Sequence, residues 1–162
     1  MTFEREGVFV RAGYSNTLLE NCPSIGPSWK GSRMDPVLRH LLFCDSVVPL
    51  LEGKLVSYGI FTDLFAERFP LTYPKFSILV SWTQAPGFHI QQIKMLNPAR
   101  SLIMHQSPES YFTLNDACES ASVIVDVHQV VFTEPGAYLF EVYLDNRPMG
   151  EFQLQVRQRS PR

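Results

Sequence analysis

Three histidines and three cysteines are the residues of this sequence that could most readily carry chemistry. His89, His105 and His128 fall on three different predicted strands, and three convergent histidines with one open position can form a catalytic zinc site. Nothing in their spacing demands convergence, and His128 lies on a mixed face typical of a partly exposed side chain. We therefore predict no bound metal and no cofactor. A metal-dependent enzyme built on these histidines remains the alternative.

Arrangements for nucleophilic catalysis are also weak. His40 and Cys44 stand four residues apart, which on a strand separates them by about 13 Å, too far for a thiolate–imidazole pair. The sequence contains no G-x-S-x-G motif. In "GPSWKGS" Lys30 precedes Gly31, which is not the order of a phosphate-binding loop. We predict that the protein is not an enzyme.

Composition places the 162 residues among globular proteins of about one domain. Hydrophobic residues make up 45% of the chain and aromatic residues 12%, enough for a sizeable core. The net charge of -2 shows no excess of Lys and Arg, so we predict no nucleic-acid partner.

The cysteines and the apolar runs predict the cellular compartment of the protein. Cys22, Cys44 and Cys118 are odd in number and widely spaced, which argues against a disulfide framework and against a thiolate zinc site. The N-terminus lacks the basic and apolar regions of a signal peptide. No apolar run approaches the about 18 to 20 residues that cross a bilayer, so we predict a cytoplasmic protein without membrane contact.

Residues 1–35 differ from the rest of the chain. They are rich in Ser, Asn, Gly and Pro, and we interpret them as an irregular N-terminal tail or arm in which "GVFVRAG" adds one strand. Met34 stands directly before the regular region, so a translation start there is an alternative that leaves open whether residues 1–35 belong to the native protein. The domain itself spans residues 36–157, and residues 158–162 form a C-terminal tail.

From Val37 onward the pattern predicts strands. Alternation with a period of two places one set of side chains on a buried face, and two such stripes are Phe76, Ile78, Val80 and Trp82, and Ala121, Val123, Val125 and Val127. "KLVSYGIFTDLF" also fits a helical spacing, but Gly59 and the β-branched residues favour a strand. "FPLTYP" predicts a break at its two prolines.

The clearest alternation is the predicted hairpin near the C-terminus. "GAYLFEVYL" and "GEFQLQV" flank Asp145 and Asn146, which tolerate the positive φ of a tight turn. The inward stripe consists of Tyr138, Phe140, Val142, Leu144, Phe152, Leu154 and Val156. Pro148 cannot donate to a ladder, so the second strand begins at an edge or a bulge.

Glu134, Gly136 and Tyr138 match the spacing of a tyrosine corner, in which the tyrosine hydroxyl bonds back to the corner backbone of a sandwich. The alternative is an ordinary hairpin tyrosine. Turn signals recur at intervals of about 10 to 15 residues, close to the spacing of a sandwich or barrel. Together these patterns predict an all-β, two-layer antiparallel sandwich of about seven to eight strands.

Four segments carry a family resemblance: "HLLFCDSV", "YGIFTDLFAERFP", "PKFSILVSWT" and the E-P-G-x-Y-x-F-E hairpin. From about Leu38 to Val156 the sequence resembles a bacterial family of short cytoplasmic proteins that share a domain of unknown function. The resemblance implies an immunoglobulin-like β-sandwich. It implies no activity.

The prediction for function is a non-catalytic binding or assembly module that contacts protein through a sheet edge or an aromatic outer face. The partner is another protein or a second copy of the chain. Leu139, Tyr143 and Tyr111 are the candidate partner surface, because Tyr143 shares a parity with Leu139 opposite the inner stripe. A carbohydrate-binding module is a further alternative, and whether a small molecule binds is left open.

Overall fold

The computed structural model of the protein describes residues 8–13, 35–84, 86–117 and 119–160. The described chain forms strands joined by turns, with one short 3-10 turn at Leu51–Gly53. The strands are β1 (Val8–Gly13), β2 (Val37–Pro49), β3 (Leu55–Phe61), β4 (Asp63–Ala66), β5 (Leu71–Thr83), β6 (Gly87–Leu96), β7 (Ile103–Gln106), β8 (Ser110–Leu114), β9 (Ser120–Phe132), β10 (Gly136–Leu144) and β11 (Arg147–Gln158).

The strands form two sheets. The first sheet has the order β1-β9-β5-β2-β3, and every pair in it is antiparallel. The second has the order β4-β11-β10-β6-β7, and β8 pairs with β6. Strands β7 and β8 follow one another along the same edge of β6, at Lys94 to Leu96 and at Gly87 to Gln91.

The prediction of an all-β, two-layer sandwich is confirmed. The described residues contain eleven strands, more than the seven to eight predicted, because several short strands pair at the sheet edges. One pair, β4 with β11, is parallel. "GVFVRAG" contributes β1, which pairs with β9, and the other residues of the predicted N-terminal arm, except Asp35, lie outside the described part of the chain.

Two local predictions had different outcomes. The segment "KLVSYGIFTDLF" is extended, as β3 and β4, which confirms the strand interpretation. The predicted break at "FPLTYP" is wrong at its second proline, because Pro74 lies inside β5. Its missing N–H is tolerated there, since pairing with β2 extends only to Ser77 and the ladder to β9 passes directly from Tyr73 to Lys75.

The core lies between the sheets and consists of the predicted stripes. All four members of the β5 stripe and all four members of the β9 stripe are buried. The outward side chains Ser77, Leu79 and Ser81 are also buried, so this part of β5 is covered on both faces. From the second sheet Phe140 packs edge-on to Phe43 and Phe76, with ring centroids 4.8 and 6.3 Å apart.

The hairpin of β10 and β11 turns at Asp145 and Asn146, whose φ values of 50° and 63° are those of a tight hairpin turn. The register shifts by one residue between Val142 and Tyr143, opposite the segment that contains Pro148. The prediction that this strand begins at an edge or a bulge is therefore confirmed, here with a bulge. It lets the proline enter the strand where no ladder bond is required.

The tyrosine corner is present. The Tyr138 hydroxyl donates to the Glu134 carbonyl at 2.9 Å and accepts from the Glu134 N–H at 3.2 Å. Its ring is fully buried and packs edge-on to Phe132. Gly136 brings the corner close to Pro98, since a Cβ at that position would lie 2.7 Å from the proline ring. The corner thus fixes the path of the chain from β9 into β10.

We predict that Tyr138→Phe lowers the free energy of unfolding by about 1–3 kcal/mol, because two backbone groups of Glu134 lose one shared partner. Urea titration monitored by circular dichroism measures this loss. Tyr58→Phe removes the same hydroxyl from an exposed side chain and serves as the matched control, with an expected change below about 0.5 kcal/mol. Equal effects of the two substitutions would contradict a stabilising corner.

Candidate functional site

The edge of the first sheet at β3 is the most accessible element for a partner. Strand β3 has seven residues, LVSYGIF, with no charged residue and no proline. It pairs with β2, and no other described strand pairs with its free side. An uncharged edge strand offers unpaired backbone N–H and C=O groups to an added strand.

An apolar strip runs along the outer face at this edge. The register places Tyr58 beside Ser46 and Ile60 beside Cys44, on the face turned away from the core. Tyr58 is 56% exposed and Ile60 is 58% exposed. We call this surface the β3 strip; its members are Val48, Val56, Tyr58 and Ile60.

The other edges carry features that hinder strand addition. Strand β4 has four residues, and β1 contains Arg11. The opposite edge of the second sheet is interrupted between β7 and β8 by Ser107 and Pro108, where the Ser107 hydroxyl accepts from the Ile93 N–H at 2.9 Å. Among the described residues, β3 is therefore the longest edge strand without a charge, a proline or an interruption.

Gly59 shapes the β3 strand. Its φ is +62°, a region that favours glycine, and a Cβ there would overlap the Asp45 carboxylate on the neighbouring strand. The Asp45 carboxylate accepts a long hydrogen bond of 3.5 Å from the Tyr73 hydroxyl. Gly59 thus lets β3 stay paired with β2 beside a charged side chain. The glycine that favoured a strand in the sequence pattern is required by this contact.

The structure separates the three residues of the predicted partner surface. Leu139 is only 2% exposed, on the outer face of β10 beside Leu96 of β6. Tyr143 is half-buried on the same face. Tyr111 lies on β8 and is exposed. Leu139 therefore offers almost no surface to a partner, while the participation of Tyr143 and Tyr111 stays a prediction.

Tyr143 is engaged within its own sheet. The Lys94 ammonium lies 4.4 Å from the centre of its ring, and its hydroxyl donates to Glu141 at 2.8 Å. The hydrogen bond to the Glu141 carboxylate, together with partial desolvation, raises the pKa of the Tyr143 phenol. These two contacts hold the Tyr143 side chain against the outer face of the second sheet.

Tyr111 forms an aromatic pair with Phe88. Their rings lie nearly parallel, with centroids 5.9 Å apart, on the outer face of the β6–β8 ladder. Phe88 is 60% exposed and Tyr111 49%. The Tyr111 hydroxyl donates to Glu109 at 2.6 Å. This pair is a second exposed apolar surface, distant in the topology from β3.

The three histidines do not converge. His89 lies on β6, and His105 of β7 pairs with Met95 of β6. His89 and Met95 are six residues, or about 20 Å, apart along β6. His128 lies on β9 in the other sheet, opposite Lys75. Burial lowers the pKa of His105. Within the described ranges no group of three or more His, Cys, Asp and Glu side chains is placed to hold a metal.

A buried polar group lies at one end of the core, and the sequence patterns did not indicate it. The Trp82 indole donates to the Gln91 side-chain carbonyl at 2.6 Å. Next along β6, His89 Nδ1 lies 2.7 Å from Asp145 in the hairpin turn. Ser110 of β8 stands directly opposite Gln91 and is also buried. The sequence signal for this group was the presence of His89 and Gln91 at inward positions of β6, where Ile93 and Met95 are apolar.

Cys44 is buried with a free thiol on the outer side of β2. Its Sγ lies 3.6 Å from the Ser77 carbonyl. Burial raises the pKa of the Cys44 thiol, with smaller contributions from nearby side chains, so it is a poor nucleophile. His40, four residues earlier, pairs with Ser81 instead. Both residues lie on β2, where a separation of four residues corresponds to about 13 Å.

We predict that Cys44 reacts slowly with a thiol reagent in the folded protein. In a Cys22→Ser/Cys118→Ser variant, labelling by dithionitrobenzoate at pH 8 should be at least about tenfold slower than after unfolding in guanidinium, because burial limits both the thiolate fraction and access. A native rate equal to the unfolded rate would contradict a buried thiol.

Comparisons with known proteins identify the family of the chain without assigning it a function. No described helix has the length and apolar character needed to cross a bilayer. A search of curated proteins found no match. A family model does match, over residues 39–157, and it covers every strand from the third residue of β2 to near the end of β11. The chain therefore belongs to the family of unknown function DUF6941.

Proposed function

We propose that the protein is a non-catalytic assembly module that associates with a second copy of itself through the edge strand β3. The observation that carries the proposal is the β3 strip, which lies along an uncharged edge strand. Two of its side chains, Tyr58 and Ile60, are large, apolar and more than half exposed. Contiguous exposed apolar side chains beside unpaired backbone groups are typical of interaction surfaces.

The chemistry of β3 favours a second copy as the partner. Tyr58 is the middle residue of the strand, so antiparallel pairing about Tyr58 sets Ile60 of one copy against Val56 of the other. Such a pairing places no like charges opposite one another and joins two apolar strips on one face. It also joins the five-stranded sheets of the two copies into one continuous sheet of ten strands.

Light scattering behind a sizing column, over a range of protein concentrations, tests the proposal. We expect twice the monomer mass at high concentration. Tyr58→Lys should weaken association at least about tenfold, equivalent to about 1.4 kcal/mol, because it sets two ammonium groups opposite each other at the two-fold axis. Its melting temperature as a monomer should change little, since Tyr58 is exposed.

Leu102→Lys is the matched control, because it introduces the same charge at a side chain of similar exposure in the turn between β6 and β7. It should leave association unchanged. A protein that stays monomeric at every concentration contradicts self-association. Loss of the dimer in Phe88→Lys but not in Tyr58→Lys assigns the contact to the aromatic pair instead of the edge.

Carbohydrate binding is the second candidate function, favoured by the exposed parallel rings of Phe88 and Tyr111. Flat, exposed aromatic surfaces suit stacking against a sugar ring, although this support rests on analogy between sandwich folds. Phe88→Ala should abolish retention on a glycan array with little loss of stability. If the unaltered protein binds no glycan on the array, carbohydrate binding is excluded as its function.

The proposal includes a cytoplasmic, bacterial setting and no reaction of its own. Support for the cytoplasmic part of this setting comes from the free, buried thiol of Cys44, which needs no oxidising compartment.

A further inference from the structure

Three buried polar atoms at one end of the core have no hydrogen-bond partner among the described residues: His89 Nε2, Gln91 Nε2 and Ser110 Oγ. Gln91 and Ser110 are directly opposite each other on β6 and β8, and His89 shares the inward face of β6 with Gln91. The three side chains are therefore neighbours. A buried polar group without a protein partner is rare, and three adjacent ones indicate a site for a small polar molecule.

The hydrogen-bonding capacity of each atom is fixed by its other contacts. An indole N–H only donates, so the Gln91 oxygen must face Trp82 and its amide NH₂ faces the unpartnered region. An ionised carboxylate only accepts, so His89 Nδ1 carries a proton toward Asp145, and His89 Nε2 accepts in the neutral ring or donates in the protonated ring. The Ser110 hydroxyl both donates and accepts.

The surroundings prevent these atoms from reaching bulk solvent. Gln91 is fully buried and Ser110 nearly so. Phe112 covers the group on two sides, since its ring stacks with Trp82 at 6.3 Å and lies 5.4 Å from His89. Asp145, half-exposed in the hairpin turn, also accepts from the Ile90 N–H at 2.9 Å and closes the end of the group toward solvent.

We infer that this group binds an internal water molecule that accepts from Gln91 Nε2 and hydrogen-bonds to Ser110 Oγ and His89 Nε2. Water is small and offers two donors and two acceptors, and buried waters in proteins typically make about three such bonds. The water extends the chain from Asp145 and His89 to Trp82 and ties the hairpin turn to the core.

A crystal structure of the unaltered protein at about 1.5 Å resolution tests the inference directly. We expect one isolated density peak within hydrogen-bond distance of Gln91 Nε2 and Ser110 Oγ. Absence of a peak overturns the inference, as does density too large for water, which would assign the site to a small polar organic molecule.

Stability measurements give an independent test. If water satisfies the Ser110 hydroxyl, Ser110→Ala lowers the melting temperature, because a hydrogen bond is lost inside the core. If the site is dry, removing an unsatisfied hydroxyl leaves the melting temperature unchanged or raises it, which contradicts the inference. Ser77→Ala is the matched control, since Ser77 is a buried serine whose hydroxyl donates to Asp126, and its melting temperature should fall.

Discussion

Burial of aromatic and branched side chains between two sheets is the interaction on which the rest of the molecule depends. Phe140 of the second sheet packs edge-on to Phe43 and Phe76 of the first, and the alternating stripes of β5, β9 and β10 extend this contact along the strands. Each such side chain stabilises the fold by about 1.5–3 kcal/mol when it leaves water. The tyrosine corner and the hairpin turn direct the chain so that the stripes face each other.

The same constraint explains where polar chemistry is tolerated. At one end of the core, Trp82 brings an indole N–H into the interior, and Gln91 provides the acceptor that such a donor needs. The buried amide then requires partners of its own, and the polar side chains beside it are Ser110 and His89, the second of which contacts Asp145 near the surface. A buried polar group is costly unless it is fully hydrogen-bonded. Burial of Trp82 therefore constrains the side chains that β6, β8 and the hairpin turn place beside it.

Sheet edges impose the second constraint. A sandwich that does not close into a barrel leaves strands with unpaired backbone groups, and this protein shortens or interrupts two of its edges through β4 and through Ser107 and Pro108. The edge at β3 has neither feature and presents Tyr58 and Ile60. The contrast between these edges, within one molecule, is the physical basis for the proposal that a partner binds at β3 and not at another edge.

The sequence by itself determined the fold class, the inward stripes, the hairpin turn at Asp145 and Asn146 and the corner at Tyr138, because a period of two and turn residues are local properties. Only the tertiary structure decided which strands lie at edges, that Leu139 is buried on the outer face, and that His89 approaches Asp145 while His105 and His128 lie elsewhere. Strand order and diagonal neighbours depend on pairings between residues far apart in the chain, and alternation along one strand carries no information about them.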